Sequence, residues 1–202
     1  MYTVYGHPFS QHSRRVVTLL ELAGLPYELV RVALDKGEHR EPAYLALNPN
    51  HQVPTLIDGD LTLHESNAIL RYLANKHALT DLYPTEPVAR ARVDQWLDWN
   101  QCRVAPAVLD VVYNKMFAGP HADAAAIARG EKRLRELTPI LDAALSRRDH
   151  VAGPRMTLAD ISVATNIFQL GLTGDAPRTA SITRWFETMS ALPAFQAALP
   201  QT

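Results

Sequence analysis

Two prolines three residues apart, Pro84 and Pro87 in the segment Leu82-Tyr83-Pro84-Thr85-Glu86-Pro87, divide a chain whose two sides follow different patterns. Before them, short β-like runs alternate with helical stretches, as in an α/β unit with parallel pairing. After them, strand-like alternation does not return. The sequence predicts an α/β domain over residues 1–79, a linker over 80–87 and an all-helical bundle over 88–202. With 202 residues, 47% of them hydrophobic, each part has enough apolar material for its own core.

In the first part, Tyr2 to Tyr5 reads as a strand, and the turn Gly6-His7-Pro8-Phe9 leads into a helix from Ser10 to Ala23 whose Val16, Leu19 and Leu20 recur at helical spacing. Tyr27 to Val32 is the second strand. A polar loop with Lys36, Glu38, His39 and Arg40 precedes a short helix from Pro42 to Leu47, which Asn48-Pro49-Asn50-His51-Gln52 breaks. Thr55-Leu56-Ile57 and Leu61-Thr62-Leu63 flank Asp58-Gly59-Asp60, a hairpin signal because Asp-Gly tolerates positive φ angles. An amphipathic helix follows from Glu65 to Lys76. Helices are expected downstream over Val88–Phe117, Asp123–Leu145, Thr157–Leu170 and Ile182–Ala191.

Charge and cysteine content narrow the function classes. A formal net charge of −1 with mixed signs gives no footprint for nucleic acid or an anionic membrane. The first residues lack a basic segment followed by a long apolar one, and no apolar run reaches membrane-spanning length, so the expected location is cytoplasmic. Cys102, the single cysteine, allows no intrachain disulfide and no cysteine-rich zinc site. Among Trp99, Val104 and Val108 it is expected to be a small buried hydrophobe rather than a nucleophile.

Four places in the first part have chemistry to offer. Ser10 follows a strand and turn and opens a helix, where backbone N–H groups and the helix dipole favour negative charge; a hydroxyl there can stabilise a thiolate. Serine is equally a preferred N-cap, and Ser13, one turn on, is a rival donor. Val53-Pro54 stands between loop and strand, and a cis bond there would turn the preceding backbone outward to pair with an extended peptide; an ordinary trans strand start is the plain alternative. Glu65-Ser66 can receive an α-amino acid end, the carboxylate at helix N–H groups and the ammonium at Glu65, or can simply cap the helix. His39, Arg40 and Lys36 can hold a second carboxylate. Together these describe an extended ligand with a zwitterionic end, a central peptide bearing a thiol, and a terminal carboxylate.

The ordered stretches Tyr5-Gly6-His7-Pro8-Phe9-Ser10, Ser13-Arg14-Arg15-Val16, Leu45-Ala46-Leu47-Asn48-Pro49, Gln52-Val53-Pro54-Thr55-Leu56 and Leu63-His64-Glu65-Ser66-Asn67-Ala68-Ile69 span most of the α/β part. This order resembles the glutathione transferase superfamily, nearest its serine-type theta and phi-like bacterial members. The resemblance implies a thioredoxin-like domain followed by a helix bundle, with glutathione as co-substrate and no metal. It implies Ser10 as the thiol-activating hydroxyl, His39 and Arg40 near the glycyl carboxylate, Gln52 beside the ligand, Val53 offering backbone bonds before a cis Pro54, and Glu65 and Ser66 at the γ-glutamyl end. Arg40 stands where lysine is frequent in phi-like members. Tyrosine is the donor in other classes of the superfamily, so Tyr5 is an alternative donor.

Thr157-Leu158-Ala159-Asp160 looks like the capping box of the superfamily's central buried helix, with Met156 and Ile161 as its hydrophobic staple. A small hydrophobic electrophile is the implied second substrate, and chain order suggests Phe9, His12, Tyr113, Met116 and Phe117 as lining residues. His12 can instead be an exposed helix residue, and the aromatic cluster can be core. A homodimer is implied as well. A glutathione-dependent peroxidase, reductase or isomerase would use the same binding half, and a non-catalytic ligand-binding module would use the same fold.

Overall fold

The computed structural model describes residues 1–200 and divides into two compact units, Met1–Leu79 together with 191–200, and Thr80–Ser190. In the first unit β1 (Tyr2–Gly6), α1 (Gln11–Leu22) and β2 (Tyr27–Arg31) form a βαβ crossover with β1 and β2 parallel. Two 3₁₀ turns (Leu34–Lys36 and Glu38–Arg40) and α2 (Pro42–Leu45) lead to β3 (Thr55–Asp58) and β4 (Leu61–His64), an antiparallel hairpin turning through Gly59 at φ 59°. The sheet order is β2-β1-β3-β4, with β3 antiparallel to β1.

β1 alternates buried and half-buried residues, so one face of the sheet is apolar. Val4 and its cross-strand partner Leu56 on β3 are completely buried, as are Leu19 and Leu20 of α1 and Ile69, Leu70 and Leu73 of α3 (Ser66–Lys76), the helix that packs on α1. Tyr5 belongs to a second cluster with Val32, Tyr44 and Val53, its ring edge-on to Tyr44. A short helix absent from the sequence reading, α9 (Pro193–Ala197), packs on α1 and buries Phe195; the chain from 191 therefore lies with the first unit rather than with the bundle expected over 88–202.

The second unit contains α4 (Pro87–Trp99), α5 (Ala105–Met116), α6 (Ala124–Leu145), α7 (Leu158–Gly171) and α8 (Ala180–Ser190). The expected linker is structured at its C-terminal end. Tyr83 is buried with Arg90 stacked 4.5 Å over its ring, the Leu82 carbonyl accepts the Leu158 N–H, and Glu86 caps α4 by accepting from the Val88 and Ala89 N–H groups.

The single helix expected over Val88–Phe117 is interrupted by a π-helical turn at Asn100–Val104, where the Ala105 N–H reaches back to the Asn100 carbonyl. Pro106 supplies the reason: it has no N–H to give the preceding turn and its ring crowds a carbonyl there, and one extra residue in the turn relieves both. Within this turn Asn100 and Val104 face inward, which leaves Cys102, half a turn round, exposed; the expectation of a buried cysteine is corrected. α5 and α6 pack closely at Gly130, and Val104, Val108, Val112 and Leu170 form a core cluster with Trp99, Leu134 and Leu137 against it. No helix among the described residues is long and apolar enough to cross a membrane.

Candidate glutathione site

Ser10 is the N-cap of α1, in extended backbone, and its Oγ accepts the Ser13 N–H at 3.2 Å. The acceptor side of this hydroxyl is thus used by the helix, while its proton has no acceptor among the described residues. Capping and thiolate stabilisation are compatible: a hydroxyl that accepts one bond is polarised to donate another. Ser13 sits underneath, 2% exposed, with its Oγ accepting the His7 N–H at 3.2 Å. Gly6 lets the turn pack closely there, since a Cβ on it would stand 3.1 Å from the Ser13 Oγ. Ser13 braces the turn, and the Tyr5 ring stands edge-on to Tyr44.

The Val53-Pro54 peptide is cis. Val53 and Pro54 are buried, and neither the Val53 N–H nor its carbonyl is hydrogen-bonded among the described residues, so a backbone edge is available for an extended peptide. The loop before it is held by residues to which the sequence reading gave no role. The Gln52 carbonyl accepts from Tyr44 Oη at 2.6 Å and from Asn48 Nδ2 at 2.8 Å, and both donors also reach Thr55 Oγ1. The Gln52 side chain is exposed.

His39 and Arg40 lie on the second 3₁₀ turn, His39 half-buried and Arg40 exposed. His51 comes beside His39, ring centroids 6.4 Å apart, and holds φ at 47°, a left-handed value that histidine adopts more readily than most residues. His39 Nδ1 is shielded from solvent without a partner among the described residues. Burial, Arg40 and His51 all lower the His39 pKa from its ordinary value.

At the start of α3, Glu65 has φ 66° and ψ 102°, a strained value for a residue with a side chain, and no side chain caps the helix. α1, α4 and α6 each receive a side-chain cap, from Ser10, Glu86 and Asp123. The first N–H groups of α3 can therefore take a carboxylate from elsewhere. Ser66 is 4% exposed and its Oγ lies 3.2 Å from Arg15 Nη1 and 3.5 Å from His12 Nδ1. Arg15 also donates to Asn67 Oδ1 at 3.0 Å. Arg15 is fully buried; desolvation pulls its pKa to about 9, which still leaves it charged at neutral pH, and Glu65 opposes that fall.

The role of Arg15 was missed from sequence, although a cation inside the apolar stripe of α1 was the available signal. His12, expected among the electrophile residues, is placed against Ser66 instead. Burial first, then Arg15 and Arg14, lower its pKa well below the usual imidazole value and keep it neutral.

Of the other electrophile candidates, Phe9 is 39% exposed on the turn before Ser10, its ring tilted against His7. Tyr113, Met116 and Phe117, at helical spacing around the end of α5, are each more than 40% exposed, so they are surface and not core of the second unit. No group of His, Cys, Asp and Glu among the described residues has the arrangement of a metal site.

A mixed four-stranded sheet with a βαβ crossover, a cis-proline loop ahead of β3 and a following helical unit is the fold of the glutathione transferases. Residues 1–75 match the family described as Glutathione S-transferase, N-terminal domain, and residues 104–193 its C-terminal domain; the chain belongs to the glutathione S-transferase family. It is 36% identical to Glutathione S-transferase 3 of Zea mays, covering 98% of this chain and 94% of that one. It is 34% identical to a glutathione S-transferase of Escherichia coli K12, covering 96% and 95%. Among solved structures, the theta class enzyme of Xanthomonas axonopodis pv. citri with glutathione bound superposes with a TM-score of 0.89 at 33% identity, covering 100% of this chain and 98% of that one. Glutathione transferase F7 of Populus trichocarpa gives 0.90 at 34%, covering 98% and 97%.

Proposed function

We propose that this protein conjugates the thiolate of glutathione to a small hydrophobic electrophile, with Ser10 donating the hydrogen bond that stabilises the anion. The observation that carries the reading is the uncommitted Ser10 proton at the N-terminus of α1, in the unit whose other polar groups suit the remaining parts of glutathione. A free thiol with a pKa of about 8.5 is only a few per cent ionised at pH 7. One fixed donor beside a helix N-terminus enlarges that fraction and fixes the direction of attack.

In this reading Val53 pairs with the cysteinyl backbone, Gln52 lies beside it, and the α3 N-terminus with Ser66 receives the γ-glutamyl carboxylate while Glu65 meets its ammonium. Arg40, with His39 and His51, faces the glycyl carboxylate. The sulfur attacks the electrophilic carbon, the leaving group departs with the bonding pair, and the thiol proton has already passed to solvent. Phe9, exposed on the turn before Ser10, supplies apolar surface for the electrophile. Family membership supports a homodimeric, cytoplasmic enzyme.

Turnover of an aryl halide with glutathione tests this. Ser10→Ala is expected to lower kcat roughly a hundredfold, the scale of losing one donor to a reacting anion, with glutathione affinity retained. Unchanged turnover in that variant would reject Ser10 as the donor, and a wild type that binds glutathione without turnover would reject the transferase reading.

A further inference from the structure

His12, near the start of α1, stands between two polar side chains: its Nε2 lies 3.4 Å from Gln11 Nε2 and its Nδ1 3.5 Å from Ser66 Oγ. Burial, Arg15 and Arg14 keep the ring neutral, so it carries one N–H and one bare nitrogen. Gln11 decides which is which. An amide NH2 has only protons to offer, so His12 Nε2 accepts and the ring proton sits on Nδ1, facing Ser66. The opposite tautomer would set two donors against each other at Gln11.

Ser66 Oγ then meets two donors, Arg15 Nη1 at 3.2 Å and the His12 Nδ1–H. Between them they occupy both lone pairs of the hydroxyl, and its single proton has no acceptor left among the described residues. A hydroxyl that accepts twice is also a better donor. We propose that His12 is a positioning residue for glutathione: by donating from Nδ1 it turns the Ser66 proton away from the protein and toward the γ-glutamyl carboxylate. This rests on the transferase reading, which brings that carboxylate to the α3 N-terminus. With the ring proton on Nε2 instead, Nδ1 would draw the Ser66 proton to itself, and a carboxylate approaching Ser66 would meet only lone pairs. Both His12 contacts are long, so their effect lies in direction more than in strength.

Nitrogen NMR spectra of the full-length protein with isotope-labelled histidine, together with titration of two ligands, test the assignment. The ligands are glutathione and its γ-aminobutanoyl analogue, which lacks only the γ-glutamyl carboxylate. The His12 signals, identified by their loss in His12→Asn, are expected to show a pyrrole-type Nδ1 and a pyridine-type Nε2. His12→Leu is expected to weaken glutathione binding about fivefold, the scale of one neutral hydrogen bond, and to leave the affinity of the analogue unchanged. His12→Asn, whose amide can donate from the place of Nδ1, is expected to restore most of that loss. A structural role alone would weaken both ligands alike. A pyridine-type Nδ1, equal weakening of the two ligands, or full glutathione affinity in His12→Leu would overturn the assignment. A wild type that does not bind glutathione would reject the transferase reading and this assignment with it, whereas normal wild-type binding with any of those three results rejects this assignment alone.

Discussion

Arg15 Nη1 lies 3.2 Å from Ser66 Oγ, so a fully buried guanidinium on α1 holds the first hydroxyl of α3. The same group reaches Asn67, and together these bonds fix the helix end assigned to the γ-glutamyl carboxylate. Arg15→Met would keep the stem and remove the donors. Because methionine also avoids the cost of burying a cation, the net stability loss should stay under about 2 kcal/mol. Glutathione affinity should fall about tenfold, on the scale of a lost charge-assisted bond. Thermal melts and glutathione titration of the variant separate the two, and a large drop in melting temperature with normal affinity would make Arg15 purely structural.

The capping box of α7 is embedded in a larger network than its four residues. Asp160 is completely buried, and its carboxylate accepts from the Thr157 N–H and hydroxyl, the Val151 N–H at 2.9 Å and Trp185 Nε1 at 3.0 Å. An isolated cap contributes about 1 kcal/mol, whereas Asp160→Ala leaves several buried donors unpaired and should cost about 3 kcal/mol or more. Chemical denaturation checks this, and a loss of no more than a simple cap would contradict the network.

Two histidines should pull the pH dependence of stability in opposite directions. The Asp160 carboxylate, with Asp149 adding to it and desolvation opposing, holds the His150 pKa above its ordinary value. Its stabilisation is full below the unfolded pKa of about 6.5 and is lost as pH rises through the folded value. His12 is depressed by burial, Arg15 and Arg14, so its contribution is present above about 6.5 and lost as pH falls toward the folded value. His150→Gln should thus cost more stability in mildly acid than in mildly alkaline solution, and denaturation at both ends reads the difference. An equal cost at both would remove the ion pair from the account.

Gly130 sets the approach of α6 to α5. A Cβ there would stand 2.8 Å from the Ala107 carbonyl oxygen and 2.8 Å from Val111 Cγ2. Gly130→Ala gains about 1 kcal/mol of helix propensity but must push the helices apart, at a cost of about 1–3 kcal/mol. The expected outcome is a lower melting temperature, and a raised one would show that the interface yields.

Elements with a strong local signal were legible in the sequence. The β1 turn and Ser10 cap, the Asp58-Gly59 hairpin and the Thr157 box each follow from residues a few positions apart. What was missed depends on contacts distant in sequence. The pairing of Arg15 with Ser66 joins residues 51 apart, and the docking of α9 on α1 brings Pro193–Ala197 back to the first unit. The π-helical turn had a local cause in Pro106, but helical periodicity hides one inserted residue; it is the same insertion that exposes Cys102.

The central claim is that Ser10 stabilises the glutathione thiolate, and the most direct test is the ultraviolet absorbance of bound glutathione thiolate against pH, in the wild type and in Ser10→Ala. The account predicts a thiol pKa lowered in the wild type and returned toward the free value of about 8.5 in the variant. A lowered pKa that survives the substitution would contradict it and move the donor role to Ser13 or Tyr5.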